Sequence, residues 1–220
     1  MDLSRPVLAT AALIVAVALG PWLARIAVRS ATRDDAASAT PLRIGVMTAV
    51  FAALLVGTGE LGELRPATAA LVWAAGAAVV LGAADLASHR LPDRVTYPAL
   101  VVCATALFVD AAVLGTWTAL LRAGAAAAVA AVVAGLGWLV SPEGLGLGDV
   151  KLLGLIGLLL GWFGWGVLMA GVFLGLLTGA LVSVALLLTR RAGWRTAIPF
   201  GPPLLAGAVL ALALGATPPG

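Results

Sequence analysis

Charge is what this sequence has least of. Only 10% of its 220 residues are Asp, Glu, Lys or Arg, while 62% are hydrophobic; soluble globular domains carry roughly 25% charged residues. A water-soluble single domain is thereby excluded. Lysine occurs once (Lys151), histidine once (His89) and cysteine once (Cys103). A single cysteine, set in an apolar run, allows neither an intrachain disulfide nor a multi-cysteine metal site, and no metal, nucleotide or other cofactor is implied. The net charge of +3 comes from thirteen basic residues against ten acidic ones. Nucleic-acid binding would need Lys and Arg clustered on a solvated face with aromatic side chains among them. No polar stretch here is long enough, so no nucleic-acid partner is expected, and the basic balance reads first as a topology signal.

What the chain does have is long apolar runs. Read against breakers and charges, they form eight segments: Pro6 to Ile26, Leu42 to Gly59, Pro66 to Asp85, Val95 to Gly115, Leu120 to Val140, Asp149 to Trp162, Trp165 to Thr189 and Pro199 to Gly215. At about 20 apolar residues per span they predict an all-α, polytopic integral membrane bundle of about eight transmembrane segments. The first resembles a signal peptide, but no small-x-small cleavage site followed by a soluble domain appears, so a retained span is expected. The sixth is short, which is tolerable where a helix faces protein instead of lipid. The 27 glycines suit close helix packing through small residues.

Positive residues are retained on the cytoplasmic side. With the loop between the first two segments inside, Arg25, Arg29, Arg33, Arg43, Arg90, Arg94, Lys151, Arg190, Arg191 and Arg195 lie inside, and only Arg5, Arg65 and Arg122 lie outside. Both chain ends are then expected outside.

An intramembrane carboxylate is costly and by default marks function. Asp2, Asp34, Asp35, Glu60, Glu63, Asp93 and Glu143 fall at ends or in loops, where water explains them. Asp110 lies within about two turns of the outer end of its segment, which suggests interfacial exposure or a polar contact to a neighbouring helix. Asp85 and Asp149 differ, because one closes and the other opens a hydrophobic span on the same, cytoplasmic, side. Asp85 ends Leu81-Gly-Ala-Ala-Asp85, and Asp149 follows Gly144-Leu-Gly-Leu-Gly148. Position alone also allows both to be ordinary helix-end residues in contact with water. If the two carboxylates meet, they cannot both ionise; one proton is shared and they divide into acid and base. The base takes a proton from water attacking a peptide carbonyl, and the acid protonates the carbonyl oxygen or the departing amine. The helix macrodipole favours the anion on Asp149, at an N-terminus, and disfavours it on Asp85, at a C-terminus, each by up to about 1 kcal/mol. Gly146 and Gly148 would allow positive φ and close approach of a substrate strand.

Three patches resemble the prepilin peptidases, the type IV leader peptidase family of membrane aspartic proteases with a Gly-x-Gly-Asp motif. Asp85-Leu-Ala-Ser-His-Arg-Leu-Pro92-Asp93-Arg-Val-Thr96 is similar to the family's first aspartate and the Ile/Leu-Pro-Asn/Asp turn after it. Gly146-Leu-Gly148-Asp149-Val-Lys151-Leu152 is similar to its Gly-x-Gly-Asp-x-Lys-Leu, and Ile198-Pro-Phe-Gly-Pro202 to a C-terminal signature. The resemblance covers roughly Pro66 to Gly215. It implies a membrane aspartic endopeptidase domain over 66–215, preceded by two helices over 1–65 and followed by a short tail over 216–220. It also implies catalysis by Asp85 and Asp149, a prepilin or pseudopilin substrate with a short basic leader, and a bacterial cytoplasmic membrane location in contact with lipid. Larger members carry a loop with two Cys-x-x-Cys pairs, associated with N-methylation; here Arg29 to Leu42 has no cysteine, so this is a compact form and methyltransferase activity is left open.

Neighbouring residues read as site-shaping. Asp93 is expected as the N-cap of the fourth helix, with Pro92 the turn before it. Lys151, two positions past Asp149, lies about 200° around the helix and is expected to snorkel or touch substrate. His89 reads as a solvated loop residue, while Pro199 and Gly201 shape the start of the last helix. Two other readings compete. Gly146-Leu-Gly-Asp149 is also the motif of presenilin-like and signal-peptide-peptidase-like enzymes, but those pair it with Tyr-Asp and place Pro-Ala-Leu after it. Here Asp85 follows alanine and Pro98-Ala-Leu100 precedes the motif. A proton-coupled transporter or scaffold would place its acids near the midplane and often show duplicated halves, and neither feature is visible.

Overall fold

The computed structural model describes residues 4–32, 37–61, 65–142, 144–189, 199–217 and 219. Arg33, Asp34, Asp35, Glu63, Glu143, Arg190, Arg191, Arg195 and Ile198 lie outside the described residues. Eight helices follow in order: α1 (Ser4–Thr32), α2 (Pro41–Leu61), α3 (Pro66–Ser88), α4 (Asp93–Leu114), α5 (Trp117–Val140), α6 (Leu147–Phe163), α7 (Trp165–Leu188) and α8 (Gly201–Gly215). No strand occurs among the described residues, and the expected all-α class and eight segments are observed. Helices α1 to α5 and α7 are each long and apolar enough to cross a membrane, making this a multi-pass membrane protein.

Several helices outrun the apolar stretches that announce them. α1 continues past Arg25 and Arg29 to Thr32, whose hydroxyl donates to the Val28 carbonyl at 2.9 Å. α3 continues past Asp85 to Ser88. Backbone groups need partners wherever the chain goes, so a helix persists into the headgroup layer after its side chains turn polar. α6 spans 17 residues, about 26 Å at 1.5 Å per residue against a hydrocarbon core of about 30 Å. Nearly every residue from Leu152 to Trp162 is buried, as expected for a short helix that faces protein.

Contacts divide the chain into two units, Met1–Trp117 and Thr118–Pro219. In the first, α1, α2 and α3 pack on one another and α3 also packs on α4, so α3 is the central helix. Its core joins Leu23, Ala24 and Ala27 of α1, Met47, Phe51 and Leu55 of α2, and Ala75, Val79 and Val80 of α3. On α4, the Cys103 thiol is buried and donates to the Ala70 carbonyl at 3.4 Å.

In the second unit α6 packs against α7 and α8, which pack on each other. Lipid tails are as apolar as leucine, so close van der Waals contact must supply the stability. A Cβ on Gly207 of α8 would fall on the backbone of Gly175 and Gly171 of α7. Against α5, a Cβ on Gly157 would come within 2.8 Å of the Ala126 carbonyl oxygen, and one on Gly161 would strike the Ala126 side chain. One residue, Gly164, separates α6 from α7; its φ of 154° and ψ of 162° belong to a region essentially restricted to glycine.

Candidate active site

Asp85 occupies the last turn of the central helix α3 and is 5% exposed. It lies a turn inside the helix, where the sequence places it at the end. The helix closes on His89, which adopts the left-handed conformation (φ 51°, ψ 39°) and donates its backbone N–H to the Asp85 carbonyl at 2.8 Å. Such a C-cap is normally glycine, so His89 is unusual in its backbone; its side chain is exposed, as the solvated-loop reading expects.

The connection to α4 is short and anchored. Pro92, not Asp93, is the N-cap (φ −71°, ψ 124°), and Asp93 is the exposed first residue of the helix. The expected cap is displaced by one position because Pro92 already holds the extended conformation that the cap requires. Its carbonyl accepts the backbone N–H groups of Val95 at 3.0 Å and Thr96 at 3.1 Å, and the Thr96 hydroxyl at 3.2 Å. Thr96 is buried, a part of this turn that the motif contains and sequence reasoning left without a role.

Asp149 is the third residue of α6 and half-buried. Its Oδ2 accepts the backbone N–H of Gly146, the N-cap, at 3.0 Å, and its own N–H donates to the Gly146 carbonyl at 3.0 Å. This is the acidic half of a capping box; glycine has no side chain to complete the other half. The positive φ that glycine would allow is used at neither position: Gly146 has φ −78°, and Gly148, within the helix, is not among the positive-φ residues. The reason for glycine at 146 is proximity: a Cβ there would stand 3.3 Å from Asp149 Oδ2.

Lys151 is half-buried on α6. Pro199 is half-buried ahead of α8, and Gly201 is its buried first residue. Antiparallel contacts, Gly171 with Leu160 and Gly179 with Pro203, put the start of α8 at the same end of the second unit as Asp149. Asp85, Pro92 and Asp93 belong to the first unit, and Gly146, Gly148, Asp149, Lys151, Pro199 and Gly201 to the second.

Two further polar arrangements serve the scaffold. Asp110 is fully buried and takes a two-pronged ion pair from Arg65, Nε to Oδ1 at 2.9 Å and Nη2 to Oδ2 at 2.6 Å. It also accepts the Ala67 backbone N–H at 3.0 Å and the Thr116 hydroxyl at 3.1 Å. Of the two expectations for Asp110, the neighbouring-helix contact is observed and interfacial exposure is not. Arg122 of α5 donates from Nε to the Gly161 carbonyl at 2.8 Å and from Nη2 to the Trp162 carbonyl at 2.6 Å, capping the C-terminus of α6 with a cation.

A model of the type IV leader peptidase family matches residues 69–184. The chain belongs to the type IV leader peptidase family. Within that family, the prepilin leader peptidase/N-methyltransferase of Bacillus subtilis (strain 168) is 32% identical over 171 residues, which are 77% of this chain and 64% of that protein. The protein of the same name from Burkholderia pseudomallei (strain 1026b) is 30% identical over 207 residues, 89% of this chain and 62% of that one. The Pseudomonas putida protein of that name is 45% identical over 73 residues, 33% of this chain and 24% of its own. The chain thus spans less than two thirds of these relatives. No solved structure matches. The family match begins in α3, ends in α7 and takes in both Asp85 and Asp149.

Proposed function

We propose that this leader peptidase family member is a membrane-embedded aspartic endopeptidase that removes the short basic leader of a prepilin or pseudopilin at the cytoplasmic face of a bacterial membrane. The observation that carries the reading is the family match enclosing two carboxylates at helix ends, one in the last turn of α3 and one in the first turn of α6. The domain over 66–215 is read as the peptidase part, with α1 and α2 as an N-terminal addition.

Asp149 acts as the carboxylate. It already accepts an N–H at a helix N-terminus, where negative charge is favoured. It takes a proton from water as the water oxygen attacks the scissile carbonyl carbon, and Asp85 gives its proton to the carbonyl oxygen. Collapse of the tetrahedral intermediate breaks the C–N bond, with the proton held by Asp149 passing to the leaving amine and the hydroxyl proton returning to Asp85. Pro92 and Asp93 aim Asp85 through the short turn to α4. Gly146 and Gly148 leave room beside Asp149, Lys151 contacts substrate or headgroups, and Pro199 and Gly201 shape the helix start at the same end.

The test is co-expression with candidate prepilins and a gel-shift readout of leader loss. Intact enzyme is expected to cleave, and Asp85→Asn and Asp149→Asn each to lose at least about 100-fold in rate. Unimpaired cleavage by both variants would sink the mechanism.

A further inference from the structure

The Asp85 end of the first unit carries an arginine collar. Arg25 and Arg29 lie near the end of α1, Arg43 at the start of α2, Arg90 after α3 and Arg94 at the start of α4. These chain ends are neighbours, because Ile26, Ala39, Ile44, Ala83 and Val95 pack against the same core cluster. Arg25, Arg29, Arg90 and Arg94 are exposed and Arg43 half-exposed. Among the described residues none of the five is in an ion pair, whereas Arg65 at the opposite end is consumed by Asp110. The carboxylates described at the collar are exposed Asp93 and buried Asp85; Arg33, Asp34 and Asp35 lie outside the described residues.

The collar's depth is set by spacing. Nineteen uncharged residues run from Pro6 to Ala24 on α1, and nineteen from Pro66 to Ala84 on α3. Each stretch is about 28 Å of helix, close to the hydrocarbon thickness of about 30 Å, so Arg25 and Asp85 reach the same boundary. Aromatic side chains mark the same level: exposed Trp22 precedes Arg25 by three residues, and exposed Tyr97 follows Arg94 by three. Residues three apart share a helix face, and Trp and Tyr rings settle at the headgroup layer. Each pair thus sets an exposed interfacial ring and an exposed guanidinium on one helix face.

The geometry points to this collar as a docking surface for anionic phospholipid, its guanidinium groups holding lipid phosphates around the Asp85 end. The arginines ring the helix ends at headgroup depth, and the guanidinium fork matches phosphate oxygens in pairs. The inference stands on the first unit alone and does not rest on the peptidase reading.

The experiment reconstitutes the full chain in phosphatidylcholine bilayers containing a trace of spin-labelled phosphatidylglycerol or spin-labelled phosphatidylcholine. Electron paramagnetic resonance then reads the motionally restricted fraction of each. The intact protein is expected to prefer phosphatidylglycerol about 5-fold or more, the effect of one well-placed arginine near a charged surface, and the preference should shrink in about 1 M salt. Arg25→Gln/Arg29→Gln and Arg90→Gln/Arg94→Gln, made as separate pairs, should each lower it at least about 2-fold, while the corresponding Lys pairs keep most of it. The pairs are kept separate so that a folding failure in one leaves the other to decide, with a thermal melt as the check. Equal association of the two lipids, or a preference unchanged in a folded Gln pair, overturns the proposal.

Discussion

Gly146 shows how closely the backbone approaches the Asp149 carboxylate. A methyl at this position would press on Asp149 Oδ2 from 3.3 Å, while its φ of −78° suits alanine without strain. Gly146→Ala is therefore expected to keep the melting temperature and to lower leader cleavage about 10-fold, the scale on which a small misplacement of a reacting group is felt; a gel-shift time course beside a thermal melt checks both halves. Asp110 predicts the opposite pattern. Asp110→Ala removes this counter-charge from half-buried Arg65 and leaves the buried Ala67 N–H without its acceptor, costing on the order of 2–4 kcal/mol. A large fall in thermal stability is expected, with cleavage retained below the new melting point. Asp85 and Asp149 stood out in the sequence because carboxylates bordering apolar runs are rare. The clasp between Arg65 and Asp110 did not, because 45 positions separate its partners and only the pairing of α3 with α4 brings them together.

Helices were readable where hydropathy reports them, and their ends were not. Hydropathy marks apolar side chains, so the segments read from it stop at Ile26 and Asp85, where polar residues begin, while α1 and α3 run on to Thr32 and Ser88. Nor did the glycine count say which glycines matter. Gly157, Gly161 and Gly207 face backbone or side chains with no space for a Cβ, while Gly45, Gly57 and Gly124 have nothing within 4 Å. Gly207→Val is accordingly expected to destabilise the second unit by several kcal/mol, as overpacking against a backbone allows no easy repacking, whereas Gly124→Val should leave the melt within about 0.5 kcal/mol; thermal unfolding in detergent separates them. Arg122 was legible only as a charge on the outer side. Its two bonds to carbonyls at the end of α6 predict a loss of about 1–3 kcal/mol for Arg122→Gln, partly recovered by Arg122→Lys, in the same assay.

For the whole molecule, the charge asymmetry acquires a structural side. Arg65 and Arg122, which the charge count assigns to the outer face, are tied to protein groups, while Arg25, Arg29, Arg90 and Arg94, assigned to the inner face, are exposed. The orientation expected from the positive residues would put Thr40 inside and Thr217 outside. With Cys103→Ala removing the native thiol, Thr40→Cys is expected to react with a membrane-impermeant maleimide only after the cytoplasmic side is opened, and Thr217→Cys in intact cells; the reverse pattern overturns the orientation. The single-residue link at Gly164 bears on how such a chain is made. A link of one glycine holds α6 and α7 as a tight hairpin, so the two helices are expected to enter the bilayer as a pair. On that route α6, short and headed by Asp149 and Lys151, would not have to be stable in lipid by itself, and the uncharged α7 that follows would carry it in.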